Sequence, residues 1–309
     1  MAPVYVMVYR LLPVVVLLTL AGCRPQSSTT TAASEAPAAD SMQTVQDDLG
    51  RSVRLPRAPR RIVPLAPSVT ELVAAAGGLD RLVARTPYCN APEAVLALRP
   101  ISTYPLDREA VLAVQADLVI GTDQVNDPSV GDDLARLGIP AFYLNFETLA
   151  DVPRALRAMG DLLGTRVAAE AAARRFEERV GDTTAPLPDA PRVLLLIGDD
   201  ILYGFGGASY VHDLVARAGG RSITAQLDGE GVTLSNEWVL TQAPDVIVVL
   251  AGTDYRVGDL SAAQPAWAEV PALQREAVCG LDPDLIVRPG PRLADGIDAL
   301  AACIDAAQG

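Results

Sequence analysis

Lysine is absent from this chain of 309 residues, histidine occurs once, and aromatic residues make up 5%. The 25 basic residues are therefore all arginine, and they face 38 acidic ones for a formal charge of −13. Such a surface lacks the basic footprint that phosphate backbones demand, which excludes nucleic acid as a partner. It also offers anionic lipid heads nothing to attract. A single histidine, His212, and four scattered cysteines cannot supply a nitrogen- or sulfur-rich metal centre. No Cys-x-x-Cys or His-x-x-x-His pair exists, and His212 falls inside a helical stretch, the setting of a structural histidine. The glycines of Gly204-Phe205-Gly206-Gly207, near Asp199-Asp200, match neither a dinucleotide fingerprint nor a P-loop, although such a turn can cradle an anion before a helix. The sequence therefore points away from an enzyme. Its longest apolar run, Leu11–Leu20, is too short to span a bilayer.

What the chain does have is one unit written twice. Leu106-Asp107-Arg108-Glu109-Ala110-Val111-Leu112, with Asp117 and a β-branched run after it, recurs as Leu234-Ser235-Asn236-Glu237-Trp238-Val239-Leu240 with Asp245. The offset is 128 residues throughout. Each copy reads as a short helix, a tight turn and a buried strand. One repetition at this distance predicts two similar lobes rather than a solenoid. It also puts one glutamate, Glu109 or Glu237, at the same point of each lobe.

The apolar run ends on Leu20-Ala21-Gly22-Cys23, which resembles the bacterial lipoprotein signal; the resemblance implies cleavage before Cys23 and lipid on its sulfur. Residues 1–22 are thus expected to be a signal peptide, and 23–46, rich in Ser, Thr, Ala and Pro, a flexible tether. Strands and helices alternate over 47–150, starting with Arg61–Leu65 and a helix capped by Ser68. Residues 151–182 have a helical period and should form one long bridging helix. Val193–Ile197 opens a second lobe over 183–309. The fold class is α/β: two lobes with mostly parallel sheets, a bridging helix, and a ligand cleft between the lobes.

Arg61-Ile62-Val63-Pro64-Leu65-Ala66-Pro67-Ser68-Val69-Thr70-Glu71-Leu72 resembles the opening signature of substrate-binding proteins of iron-siderophore and cobalamin ABC importers. Tyr88-Cys89-Asn90-Ala91-Pro92, Ala218-Gly219-Gly220 and Arg288-Pro289-Gly290-Pro291-Arg292 carry the same likeness in order. The resemblance implies an extracytoplasmic binding protein, monomeric and lipid-anchored, that delivers its ligand to an ABC transporter permease dimer. It implies that Glu109 and Glu237 dock on that permease. Glu71, by contrast, reads as a structural residue of the first helix. Cobalamin-binding members are the most similar, so cobalamin or a related corrinoid is the expected ligand; haem and a ferric siderophore are the alternatives. The residues matching the family's cleft are Tyr88, Tyr104 and Tyr203, with Asp284 and Arg288 at the far rim. Cobalamin binders often have tryptophan where this chain has Tyr104 and Gly229-Glu230-Gly231. No resident cofactor or metal is implied. Outside the cytoplasm Cys279 and Cys303 are able to pair, which leaves Cys89 as a quiet thiol.

Overall fold

The structure, a computed structural model, describes residues 41–181 and 188–307. The signal segment, Cys23, the tether up to residue 40, and residues 182–187 lie outside the described residues. No helix among the described residues is long and apolar enough to cross a membrane.

Strands β1 (Met42–Gln46) and β2 (Ser52–Pro56) form an antiparallel hairpin. The Asp47 carboxylate closes it, accepting from the amides of Leu49 and Arg51 at 3.1 and 2.9 Å. This moves the tether boundary, since residues 42–46 belong to the fold. Their polar side chains read as linker, but a ladder is held by backbone hydrogen bonds, and β2 supplies the burial through Val53 and Leu55.

In the N-terminal lobe β3 (Ile62–Pro64) leads into α1 (Pro67–Val73), and the chain returns beside β3 at Leu82. Then come α2 (Arg108–Ala113), β4 (Leu118–Thr122), α3 (Ser129–Arg136) and β5 (Ala141–Leu144). The sheet is parallel in the order Leu82, β3, β4, β5. All five residues of β4 are buried, as a strand covered on both faces requires.

Two helices, α4 (Asp151–Leu163) and α5 (Arg166–Val180), replace the single helix expected over 151–182. Gly164, at φ 68°, ends α4 in the left-handed region that glycine adopts without steric cost. α5 then folds back on α4. Arg157 pairs with both Glu170 and Glu177, which a continuous helix would hold roughly 20 and 30 Å away along its axis. A Cβ on Gly160 would collide with Ala169, so that glycine lets the two helices approach closely.

The C-terminal lobe runs β6 (Arg192–Leu196), β7 (Tyr203–Phe205), α6 (Val211–Arg217), β8 (Arg221–Ser222) and β9 (Gly231–Thr233). It continues through α7 (Asn236–Gln242), β10 (Val246–Val249), α8 (Val257–Ala263), α9 (Pro271–Gln274), β11 (Val278–Gly280) and α10 (Leu293–Ala306). Strands β8, β6, β10 and β11 are parallel in that order and repeat the N-terminal sheet. β7 and β9 extend it antiparallel from the end of β6. Cys279 on β11 is joined to Cys303 on α10, Cα atoms 6.3 Å apart. The largest apolar core is continuous from β2 and α1 through α4 and α5 to α6 and α10, so the lobes share a floor.

The sequence repeat persists in the hydrogen bonds. Asp107 and Ser235 cap α2 and α7, accepting from Ala110 N and Trp238 N at 2.9 and 3.2 Å. Gln115 and Ala243 leave those helices at φ 50° and 45°, a conformation that costs a non-glycine residue about 1–2 kcal/mol. Two residues on, Asp117 accepts from the amides of Arg60 and Arg61, and Asp245 from the amide of Arg192, at 2.8 to 2.9 Å. The guanidinium groups of Arg61 and Arg192 in turn donate to the carbonyls of Val114 and Gln242, which end α2 and α7. Each aspartate therefore pins the first strand of its lobe's parallel sheet, β3 or β6, to the helix–strand turn beside it.

The hydrogen-bonded Arg192 guanidinium holds the Asp245 carboxyl below the usual carboxylate range. A carboxylate so lowered stabilises the fold fully above its ordinary pKa, and that contribution is lost as pH falls through the lower folded value. Asp245→Ala should cost about 2–3 kcal/mol in urea unfolding at neutral pH. The gap between wild type and variant should narrow below about pH 4; a gap that stays constant on acidification would contradict this account.

Candidate functional site

The C-terminal ends of both sheets face a cleft of about 410 Å³ between the lobes. That is where ligands sit in open α/β sheets. On the N-terminal side the chain turns from β3 into α1 at Ala66, Pro67 and Ser68, with Pro67 opening the helix. Val125 and Gln124 follow β4, and Tyr88 stands 73% exposed on its loop. Tyr88 N donates to Thr86 Oγ1 at 3.2 Å. Beneath it Cys89 is buried against the hydroxyls of Thr70 and Thr86, at 3.1 and 3.2 Å, a setting that shields the thiol.

The opposite wall is more aromatic. Tyr203 and Phe205, two apart on β7, share one face of the strand, and Tyr210 closes the base ahead of α6. A Cβ on Gly231 would strike the Tyr203 ring, so that glycine gives the ring its seat. Tyr210 is buried and donates to Ile286 O at 2.9 Å; burial raises its pKa and keeps the phenol neutral. Its oxygen is thereby engaged as a structural donor.

A charged cluster joins the lobes at one side of the cleft. Arg292 binds both oxygens of Glu71, at 2.6 and 2.9 Å, across from α10 to α1. Arg288 reaches Asp284 at 2.7 Å, Asn90 Oδ1 at 2.7 Å and Tyr88 O at 3.0 Å, and Asn90 Nδ2 donates to Asp284 at 2.6 Å. Glu71 is 5% exposed and Arg288 13%. The two carboxylates and two guanidinium groups neutralise one another. Glu71 thus has the structural role expected of it.

Of the residues expected at the site, Tyr88, Tyr203 and Arg288 line the cleft, and Asp284 holds Arg288 from behind. Tyr104 does not join them. It is 91% exposed and borders a neighbouring recess with Arg108 and Asp127, which meets the main cleft at Val125. Glu109 and Glu237 are exposed at equivalent positions in the first turns of α2 and α7, away from the cleft lining. His212 lies outside the main cleft; its Nε2 sits 2.5 Å from Gly206 O, and burial lowers its pKa, so it is a neutral ring donating there. Phe205, Asn90, Val125 and Glu230 were not anticipated. Phe205 was signalled by its spacing of two from Tyr203; Asn90 lies within the Tyr88–Pro92 signature, but its role depends on Asp284 and Arg288, almost 200 residues away.

Removing one partner of a buried ion pair leaves the other charge uncompensated, at a cost of about 3–5 kcal/mol. Glu71→Ala should therefore lower unfolding stability by roughly that amount, whereas Glu109→Ala, at the surface, should leave the unfolding midpoint unchanged. Equal effects from the two would mean that the cluster holds nothing together.

Residues 62–285 match the family model described as periplasmic binding protein. A vitamin B12-binding protein of Yersinia pestis (strain Pestoides F) is 30% identical over 240 residues, covering 77% of this chain and 83% of the relative. Among solved structures, the periplasmic vitamin B12 binding protein of Vibrio cholerae superposes with a TM-score of 0.69 at 25% identity, covering 81% of this chain and 98% of that one. A periplasmic heme binding protein from Pseudomonas aeruginosa gives 0.68 at 30% identity, covering 80% and 92%. All three are named as binding proteins, the two solved ones as periplasmic, and those two share the fold of this chain. By the match over most of its length and by its fold, this chain belongs to the periplasmic binding protein family.

Proposed function

We propose that this protein binds cobalamin or a related corrinoid between its lobes and delivers it to the permease dimer of an ABC importer. The observation that carries the reading is the aromatic wall. Tyr203, Phe205 and Tyr210 on one lobe face Tyr88 on the other, giving a slot with flat apolar surfaces that suits a macrocycle. The similarity to vitamin B12-binding proteins supports the same ligand. The signal segment and Cys23 support lipid anchoring of the mature chain outside the cytoplasm, with residues from 23 to about 41 as the tether. The lobes, joined by a shared core and a neutral charged cluster, close little around the ligand.

One observation favours haem as the second reading. The Tyr88 and Tyr203 rings are exposed in the cleft, and tyrosine oxygen is a recognised haem iron ligand. The 30% identity to a heme binding protein points the same way. Titrating the purified protein with cyanocobalamin, cobinamide and haem, followed by heat and visible absorbance, separates the readings. Corrinoid binding at one to one is expected, weakened roughly tenfold in Tyr88→Ala. A Soret shift with no corrinoid binding would select haem instead.

Glu109 and Glu237 support docking, because two carboxylates at pseudo-equivalent sites suit two equivalent basic patches on a symmetric permease. Exposed pairs of this kind orient a complex and speed its formation more than they tighten it. Reversing both charges (Glu109→Arg with Glu237→Arg) should abolish uptake in cells while ligand affinity stays at the wild-type value. Loss of affinity in the same variant would assign the pair to the ligand instead.

A further inference from the structure

The glycine cluster at 204–207 is not an anion cradle. Gly206 N donates to Glu230 O at 2.8 Å, Gly207 N to Leu227 O at 2.6 Å and Ala208 N to Gly229 O at 3.0 Å. A Cβ on Gly206 would strike the carbonyl of Gly229, and one on Gly207 would come within 2.6 Å of Ala225 O. The glycines let one loop lie flat on another and rivet it there by three backbone bonds. The riveted loop carries Glu230, a residue that lines both the main cleft and an adjoining recess of about 480 Å³.

The charges around that side chain are one-sided. Arg288, the other ionised group lining the main cleft, is already taken up by Asp284 and by Glu71. The adjoining recess adds Glu147 and Asp213, and His212 there donates to a backbone carbonyl. Among the described residues lining the two spaces no arginine is left to receive an anionic ligand group. A carboxylate carried on a pinned backbone at the cleft wall accepts hydrogen bonds from amide N–H groups or attracts positive charge, and repels a second carboxylate.

Building on the corrinoid reading, we infer that Glu230 is a specificity-determining residue. It accepts from an amide edge of the ligand and excludes macrocycles that present a carboxylate at that point. The selected class is a macrocycle with neutral amide arms or net positive charge; the rejected class includes acidic tetrapyrroles and anionic iron chelates. Rejection here comes from leaving like charges face to face, the device by which a binding site discriminates against near-identical competitors.

The test compares wild type with Glu230→Gln against cyanocobalamin and the monocarboxylic acids made by hydrolysing one peripheral propionamide. Wild type should bind at least one of these acids about tenfold or more worse than the parent, as expected for facing like charges. Glu230→Gln should bring that ratio to within about twofold, since a neutral amide repels no carboxylate. Unfolding midpoints should match, because Glu230 is exposed and its backbone bonds are kept. The same ratio in both proteins, with tight corrinoid binding intact, overturns the role of Glu230 and leaves the ligand reading standing. Tight haem binding by wild type with no corrinoid binding overturns both, because haem carries two propionates. Silence toward every probe also defeats both.

Discussion

Two pairs of opposite charges, sunk between the lobes beside the cleft, set the geometry on which the binding site depends. Glu71 lies on α1 and Arg292 is the N-cap of α10 in the other lobe, and their separation is 2.6 Å at its shortest. A buried carboxylate or guanidinium deprived of its partner would be costly, so the lobes cannot part here without water or a replacement partner entering. Arg288 extends the restraint to the Tyr88 loop through Asn90 and the Tyr88 carbonyl. The width of the slot is thus fixed at one side by electrostatics and beneath by a common apolar core. Such a preset slot leaves little ordering to be done when a ligand arrives.

Much of the architecture was legible because the chain repeats itself. The helix caps, the left-handed residues and the strand-pinning aspartates all recur at the same offset, and each is a local device that sequence spacing can reveal. The two left-handed positions are less visible: glutamine and alanine announce no positive φ, and only the clamp two residues later makes the conformation worthwhile. What was not legible depends on partners distant in sequence. Residues 42–46 read as linker in the sequence, since a backbone ladder leaves little trace in side chains. The expected single bridging helix is two, divided at Gly164, where the chain turns through the left-handed region.

The site shows the same division. Tyr88, Tyr203 and Arg288 could be placed from family signatures, yet Tyr104 stands in a side recess that shares only Val125 with the main cleft. Asp284 and Arg288 looked like two ligand contacts at a rim. They are instead mutually satisfied, which leaves Arg288 able to present its edge but little net charge. In the sequence Glu230 stands out only as a departure from tryptophan. Its significance depends on charge balance around the cleft, a property no linear motif contains.

The disulfide has a mechanical meaning. α10 is preceded by its N-cap Arg292, tied by charge to the other lobe, and bears Cys303 near its end, tied covalently to β11 of its own sheet. Between these anchors Asp295 and Asp298 hold Arg179 at the end of α5. The helix is therefore a strut fixed at both ends and braced in the middle. Any tilt of one lobe is passed along it to the bridging helices instead of being absorbed by fraying. In a reducing compartment the far anchor would be lost, and the strut would become a cantilever: the stiffness of the closed-up receptor is set only once the chain has reached an oxidising environment.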